Sequence, residues 1–363
     1  DQSIALLCFR CGFPSQFMLP KEISMSAPHS APVSPQRIFQ LAWGYAPPLI
    51  LEAAIKHRVF DVLDAGPMSL AEVSAATGAS ERGLSAIMDV LVGLEFLAKN
   101  ESGKYSLTPE SAAFLVSTKQ SFQGGLIRHT SEHLLPKWLA LNEIVSTGRP
   151  GAAVNQQGVG AEFFEKFVND IFPMSYPSAA TLAAHLGLAS RADKFRVLDL
   201  GAGSGVWGIA QAQAGPMVHV TAVDWHGVIP ITRANASRFG LAERFTFVEG
   251  DLLEADFGTG HNLVTIGHIL HSEGVERSKA LLAKACAALA PGGTISIAEF
   301  LVNADRTGPV NGLIFAVNML VNTDAGGTYS FEEIGTWLRD AGFVDVRQLD
   351  SPGPSPLVLA SKP

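Results

Sequence analysis

Apolar positions along the chain fall into two regimes, with the change near Arg191. From Pro35, Ile38, Leu41 and Ala42, then Leu49, Ile50, Ala53, Ala54 and Val59, recur at three- to four-residue spacing, which predicts packed helices interrupted at Pro47-Pro48. Ser69-Leu-Ala-Glu72 has the capping-box form that starts a helix, and a second helix is expected over 80–94, after Gly78. Residues 104–108 read as a strand, so 37–120 has a winged-helix outline: helix, turn, helix, strand. Residues 121–190 read as a helical connector, with apolar repeats around Phe163-Phe164, Phe167, Ile171-Phe172 and Leu182 to Leu186. Beyond Arg191, short apolar runs at 196–200, 218–223, 245–248, 263–266 and 294–298 alternate with helix-length segments. That alternation predicts an α/β fold, a doubly wound parallel sheet over 191–363, with 343–347 and 357–360 adding two strands at one edge.

Composition narrows the classes. A chain of 363 residues, 47 % hydrophobic and 17 % charged, can bury two cores and leaves apolar surface for a pocket or a dimer interface. A net charge of −8 has the wrong sign for affinity built on phosphate neutralisation, and 81–95 offers Arg82 alone against Glu81, Asp89 and Glu95. No nucleic-acid partner is expected, and 37–120 is read as a packing or dimerisation module rather than a DNA reader. Cys8, Cys11 and Cys286 form no disulfide framework, which fits the cytoplasm, and Cys8-x-x-Cys11 lacks the second pair a metal site would need. No run is read as reaching the ~18 apolar residues of a membrane span. Residues 1–36, with Met25 opening a Ser/Ala/Pro-rich run, are expected to be a poorly structured leader.

The strand ending at Leu200 runs into Gly201-Ala-Gly203-Ser-Gly205, a turn whose missing Cβ atoms let a ligand approach the backbone. A dinucleotide fingerprint would need its third glycine at position 206, which is valine, and no Lys-Ser/Thr follows as in a phosphate loop. Nicotinamide chemistry and nucleotide hydrolysis are thereby disfavoured. Asp224 closes the next strand, about twenty residues on, where a carboxylate accepts hydrogen bonds from ribose hydroxyls. Asp251 follows the third strand at the same carboxyl edge of the sheet, the crevice where such folds bind ligands.

The motifs 197–205, Val223-Asp224, Glu249-Gly-Asp251, His268-Ile-Leu-His271 and Leu289-Ala-Pro-Gly-Gly293 resemble those of class I S-adenosylmethionine-dependent methyltransferases. Over about 37–363 the chain is similar to the O-methyltransferase family of plant caffeate and flavonoid enzymes and bacterial polyketide-tailoring enzymes. The resemblance implies S-adenosyl-L-methionine as cofactor and a homodimer formed through the N-terminal module. It also implies methyl transfer to a hydroxyl of a small, apolar, aromatic acceptor without a metal. It places the general base at His271 and a carboxylate at Glu299 to hold that imidazole's tautomer, as in hydrolase triads. The expected cofactor contacts are Asp199, Gly201, Gly203, Gly205, Asp224, Trp225, Asp251, Leu252, Ser178 and Gly267. The acceptor wall is expected from Phe172, Met174, Tyr176, His268, Met319 and Asn322, with Tyr329 lining it or bonding near His271.

The departures are specific. The family's His-Asp-Trp is His271-Ser272-Glu273 here, the cofactor-contacting Lys or Arg four residues before the base is Gly267, and Tyr329 stands where a second carboxylate is common. Other chemistry on the same scaffold (carbon methylation, decarboxylation, hydroxylation) and a ligand-sensing winged-helix regulator remain the alternatives, with retention of His271 and Glu299 favouring oxygen methylation.

Overall fold

The computed structural model describes residues 33–151, 153 and 167–363, and the chain divides into two compact units, residues 1–45 and 46–363. The leader, Cys8, Cys11 and the Phe163-Phe164 repeat lie outside the described residues. In the first unit the helix Gln36–Ala42 leaves Ile38, Phe39 and Leu41 exposed. The second opens with the helix Ala46–Lys56, where Pro47 and Pro48 occupy the first turn. Backbone N–H groups there have no intrahelical partner, so the prolines start a helix instead of interrupting one, and the break falls at 43–45. By length and composition alone the run Gln36–Lys56, 21 residues of mean hydropathy 1.2, is long and apolar enough to cross a bilayer, contrary to the expectation that no run reaches that length, but it is divided at 43–45 into helices of 7 and 11 residues.

The capping box forms as read. Ser69 Oγ accepts from Glu72 N, the Glu72 carboxylate accepts from Ser69 N at 2.7 Å, and the helix Leu70–Thr77 ends at Gly78, φ 72°. Ser80 caps the helix Glu81–Gly93. A hairpin follows, of β1 (Leu97–Lys99) and β2 (Tyr105–Leu107), paired antiparallel. β2 matches the expected strand, whereas β1, equally short, carries no aromatic or β-branched side chain to mark it. Phe60, Leu84, Met88, Leu91 and Tyr105 fill the core beneath.

The sheet comprises β3 (Phe195–Leu200), β4 (Val218–Asp224), β5 (Phe245–Glu249), β6 (His261–Gly267), β7 (Leu289–Ala298), β8 (Val344–Leu349) and β9 (Leu357–Ser361). Their order is β5-β4-β3-β6-β7-β9-β8, parallel from β5 through β7, with β9 antiparallel to both its neighbours. Two apolar cores pack it, one around Leu198, Leu200, Val264, Ile266 and Ile297, the other around Val197, Ile209, Val220 and Leu263. β7 begins earlier than the apolar run at 294 because Gly292 N–H donates to Lys362 and Gly293 O accepts from it, drawing a turn-like Pro-Gly-Gly into the ladder. Asp224, Glu249, Gly267 and Ala298 thus end parallel neighbours at one edge, beside the glycine turn after Leu200.

Candidate active site

The glycine turn is built from beneath. Asp199 is fully buried; its Oδ2 accepts from Gly208 N at 3.0 Å and its Oδ1 from the Thr265 hydroxyl at 2.7 Å. Burial pushes its carboxyl up to about 7, against the pull of those donors. Gly201, Gly203 and Gly205 all have positive φ, and a Cβ on Gly201 would stand 2.3 Å from Ile269. Gly201 and Gly203 line a cavity at the sheet edge, while Gly205 turns away to cap the helix Val206–Ala214. Asp199 and Gly205 therefore shape the turn and do not face the cavity.

Asp224 crosses from the end of β4 to that turn. Its Oδ2 accepts from Gly203 N and its Oδ1 from Trp225 N, both at 2.7 Å. Burial raises its carboxyl to about 6 despite the two N–H donors. Trp225, Asp251 and Leu252 continue the wall. Asp251 accepts from Leu253 N at 2.8 Å and from Arg277 at 2.7 Å, and Arg277 also binds Glu273 at 2.6 Å. Arg277 and Glu273 line the cavity and were missed in the sequence. Their signal was a Glu-to-Arg pair four apart at a helix start, which by itself marks only a solvated face.

Gly267 lines the cavity too, and its neighbour explains the absent cation. A Cβ there would lie 1.9 Å from Trp207 Nε1, so the indole occupies the space a Lys or Arg side chain would need. Gly267→Ala is expected to destabilise the fold by about 1–3 kcal/mol through overpacking. An unchanged denaturation midpoint would show that Trp207 moves aside freely.

His271 and Glu299 meet. Nδ1 of His271 lies 2.8 Å from Glu299 Oε2, and its backbone N–H donates to Oε1 at 3.2 Å. The side chains are 11 % and 3 % exposed, so the pair is shielded from water on all but the cavity side. Burial favours the protonated acid, but attraction to His271, the hydrogen bond from it and attraction to His268 outweigh burial and hold Glu299 below the usual carboxylate range. Phe315 meets the His271 ring edge-on at 4.9 Å between centroids. His268, at φ 62°, also lines the cavity, 2.9 Å from Ser355 Oγ, and burial drives its pKa down to about 4.

Of the expected acceptor wall, Met174, His268, Met319 and Asn322 face the cavity. Phe172 and Tyr176 do not: they stack on each other, Phe172 packs on Phe239, and the Tyr176 hydroxyl donates to Gln213 at 2.8 Å. On the helix Phe172–His185, residues 172 and 176 share a face and 174 lies nearly opposite, so the three cannot line one surface. Ser178 is also off the cavity, buried under the loop before β9, where it accepts from Ser351 Oγ at 3.0 Å. Tyr329 is buried edge-on against Trp337, and among the described residues its hydroxyl has no hydrogen-bond partner. Burial, with the nearby Glu299 and Glu333 charges, pushes its phenol up to about 12.

Comparison with known proteins agrees with this architecture. Residues 39–117 match the O-methyltransferase dimerisation domain and residues 140–344 the O-methyltransferase domain. The 3-hydroxy-5-methyl-1-naphthoate 3-O-methyltransferase of Streptomyces sahachiroi is 30% identical over 336 residues, 90% of this chain and 95% of that protein. A Nostoc punctiforme structure described as an O-methyltransferase superposes with a TM-score of 0.83 at 27% identity, covering 92% of this chain and 100% of that one. Human N-acetylserotonin methyltransferase in complex with S-adenosylmethionine gives 0.79 at 23%, covering 93% and 99%. The fold and the edge cavity define a class I methyltransferase. The chain belongs to the S-adenosylmethionine-dependent O-methyltransferases.

The cavity fits that cofactor. A bare backbone cradle at Gly201 and Gly203 adjoins a half-buried carboxylate, Asp224, of the kind that can accept from ribose hydroxyls, and Trp225 offers a flat apolar face. An acid with a pKa of about 6 is ionised above that pH and protonated below it, and only the ionised form accepts from both hydroxyls. S-adenosylhomocysteine affinity is therefore expected to be flat above about pH 7 and to fall up to tenfold per unit below about 6. In Asp224→Asn that fall should be absent; the same fall in the asparagine variant would move its origin elsewhere.

Proposed function

We propose that the protein methylates a hydroxyl of a small, flat, apolar aromatic acceptor, with His271 as general base and Glu299 as the residue that positions it. The carrying observation is the His271–Glu299 pair, closed off from water except where it opens on the cavity. With Nδ1–H donated to Glu299, Nε2 is left as the base. Glu299 stays ionised, so it stabilises the imidazolium formed when the acceptor hydroxyl loses its proton. His268, neutral at physiological pH, puts no second cation beside it. Bound S-adenosylmethionine supplies an electrophilic methyl group on a sulfonium sulfur. Phe300, Phe315 and Met319 offer the acceptor an apolar wall. The Streptomyces relative, named for a hydroxynaphthoate, supports this acceptor class. The test is S-adenosylhomocysteine formation across a panel of phenols and hydroxyquinones. Methylation confined to carbon, or cofactor binding with no transfer to any hydroxyl, would overturn the reading.

Residues 37–120 are read as a winged-helix module that forms a homodimer, 121–190 as a connector contributing Met174 to the cavity, and 191–363 as the cofactor-binding domain. Support for the dimer comes from the matched dimerisation domain and the exposed Ile38, Phe39, Leu41 and Trp43. Sedimentation at micromolar concentration is expected to give a dimer, and a monomer would contradict it. The buried free thiol of Cys286 supports a reducing, cytoplasmic setting.

A further inference from the structure

The helix Val310–Asn322 presents Asn318 and Asn322, one turn apart, to the cavity, and both are nearly buried. Which atom of each amide faces which neighbour follows from what the neighbours can do. The Trp138 indole N–H lies 3.0 Å from Asn318 and can only donate, so the atom it meets is Oδ1. Asn322 Nδ2 lies 2.9 Å from the Asn318 backbone carbonyl, which can only accept, so that atom is the amide nitrogen. Asn322 Nδ2 also donates to Asn318 Oδ1 at 3.1 Å, and Lys137 Nζ donates to Asn322 Oδ1 at 3.0 Å. Both amide hydrogens of Asn322 are thereby engaged, and Asn318 Oδ1 already accepts two. Among the described residues, Asn318 Nδ2 has no partner.

We propose that Asn318 Nδ2 donates a hydrogen bond to an oxo group of the acceptor (a ketone, quinone or carboxylate oxygen) and so selects hydroxyarenes that carry one. Trp138 and Lys137 are positioning residues: they fix the polarity of the amide pair, so that the cavity meets a donor and not a carbonyl oxygen. The inference rests on the proposed methyl transfer and names its substrate class. Phe315, whose ring packs on His271, precedes Asn318 by one turn, about 4.5 Å along the axis. His271, Phe315 and Asn318 thus border one cavity, and the proposal puts the hydroxyl at the base and the oxo group at Asn318 on one small acceptor.

The experiment uses the full chain and a matched pair, 3-hydroxyacetophenone and 3-ethylphenol, which differ by the oxo group. Binding to the protein saturated with S-adenosylhomocysteine and kcat/KM with S-adenosylmethionine are both measured. The unmodified protein is expected to favour the ketone, and Asn318→Asp, which puts a carboxylate oxygen where the donor was, to cut the ketone-to-ethyl ratio by about ten- to hundredfold. Trp138→Phe keeps the packing but frees the amide to turn, and should lower the same ratio several-fold even if the aspartate variant fails to fold. Lys137→Met should act in the same direction more weakly. Equal binding of the two compounds by the unmodified protein, or variants that weaken both equally, would overturn the proposal. A protein that discriminates in binding yet methylates neither compound would keep the donor and overturn the proposed reaction.

Discussion

His271→Ala is expected to lower turnover by about 10²–10⁴, the span of a positioned general base, with a far smaller change in S-adenosylhomocysteine affinity. The reason lies in the acceptor: a phenol with a pKa near about 10 is almost entirely protonated at neutral pH. The only imidazole bonded to a buried, ionised carboxylate beside the cavity is that of His271, among the described residues. Glu299→Gln should cost less, because the amide oxygen still accepts the Nδ1 proton but carries no charge to balance the imidazolium. Raising the pH should partly restore the alanine variant on a phenol, since phenolate then forms unaided. Initial rates of S-adenosylhomocysteine release across pH test both points, and full activity of the alanine variant at neutral pH would remove His271 from the reaction.

Asp224→Ala should weaken cofactor binding by about 1–3 kcal/mol, roughly five- to 150-fold. Two losses combine. The ribose hydroxyls lose their acceptor, and the N–H groups of Gly203 and Trp225, both held by this carboxylate at 2.7 Å, are orphaned at the mouth of the glycine turn. Calorimetric titration with S-adenosylhomocysteine reads the sum. An affinity equal to that of the unmodified protein would mean that the ribose lies elsewhere, and with it the assigned orientation of the cavity.

The strands were legible because each carries an apolar run with a boundary that physics enforces: the glycine turn after Leu200, Asp224 at the strand end, the drop in apolarity after Ile266. The His271–Glu299 pair was legible for a related reason, since both residues follow the ends of strands that the α/β alternation makes neighbours. The rest of the site is illegible where a short stretch is divided between two helix faces or covered by a distant loop. Phe172, Met174 and Tyr176 lie close in sequence, yet the helix sends Met174 to the cavity and the other two to the opposite face. Ser178 was assigned to the cofactor, but the later loop carrying Ser351 covers it, and nothing near position 178 announces that loop. Asn318 is not legible in the sequence because its meaning depends on Trp138, 180 residues away, whose donor-only indole decides which end of the amide meets the cavity.

The antiparallel strand β9 has a consequence for the order in which activity appears as the chain is made. β7, which leads into Glu299, is an interior strand only because β9 pairs with it from Ala298↔Leu357 to Thr294↔Ser361. The loop ahead of β9 supplies Ser355 to His268 and Ser351 to Ser178. A ribosome-bound chain that has emerged through residue 350 already contains every residue of the base pair and of the glycine turn. It still has β7 as an open edge and His268 without its serine. Residues 351–361 therefore act as the closing fastener of the catalytic centre, and the last of the sheet to be translated is what seals the strand on which Glu299 depends.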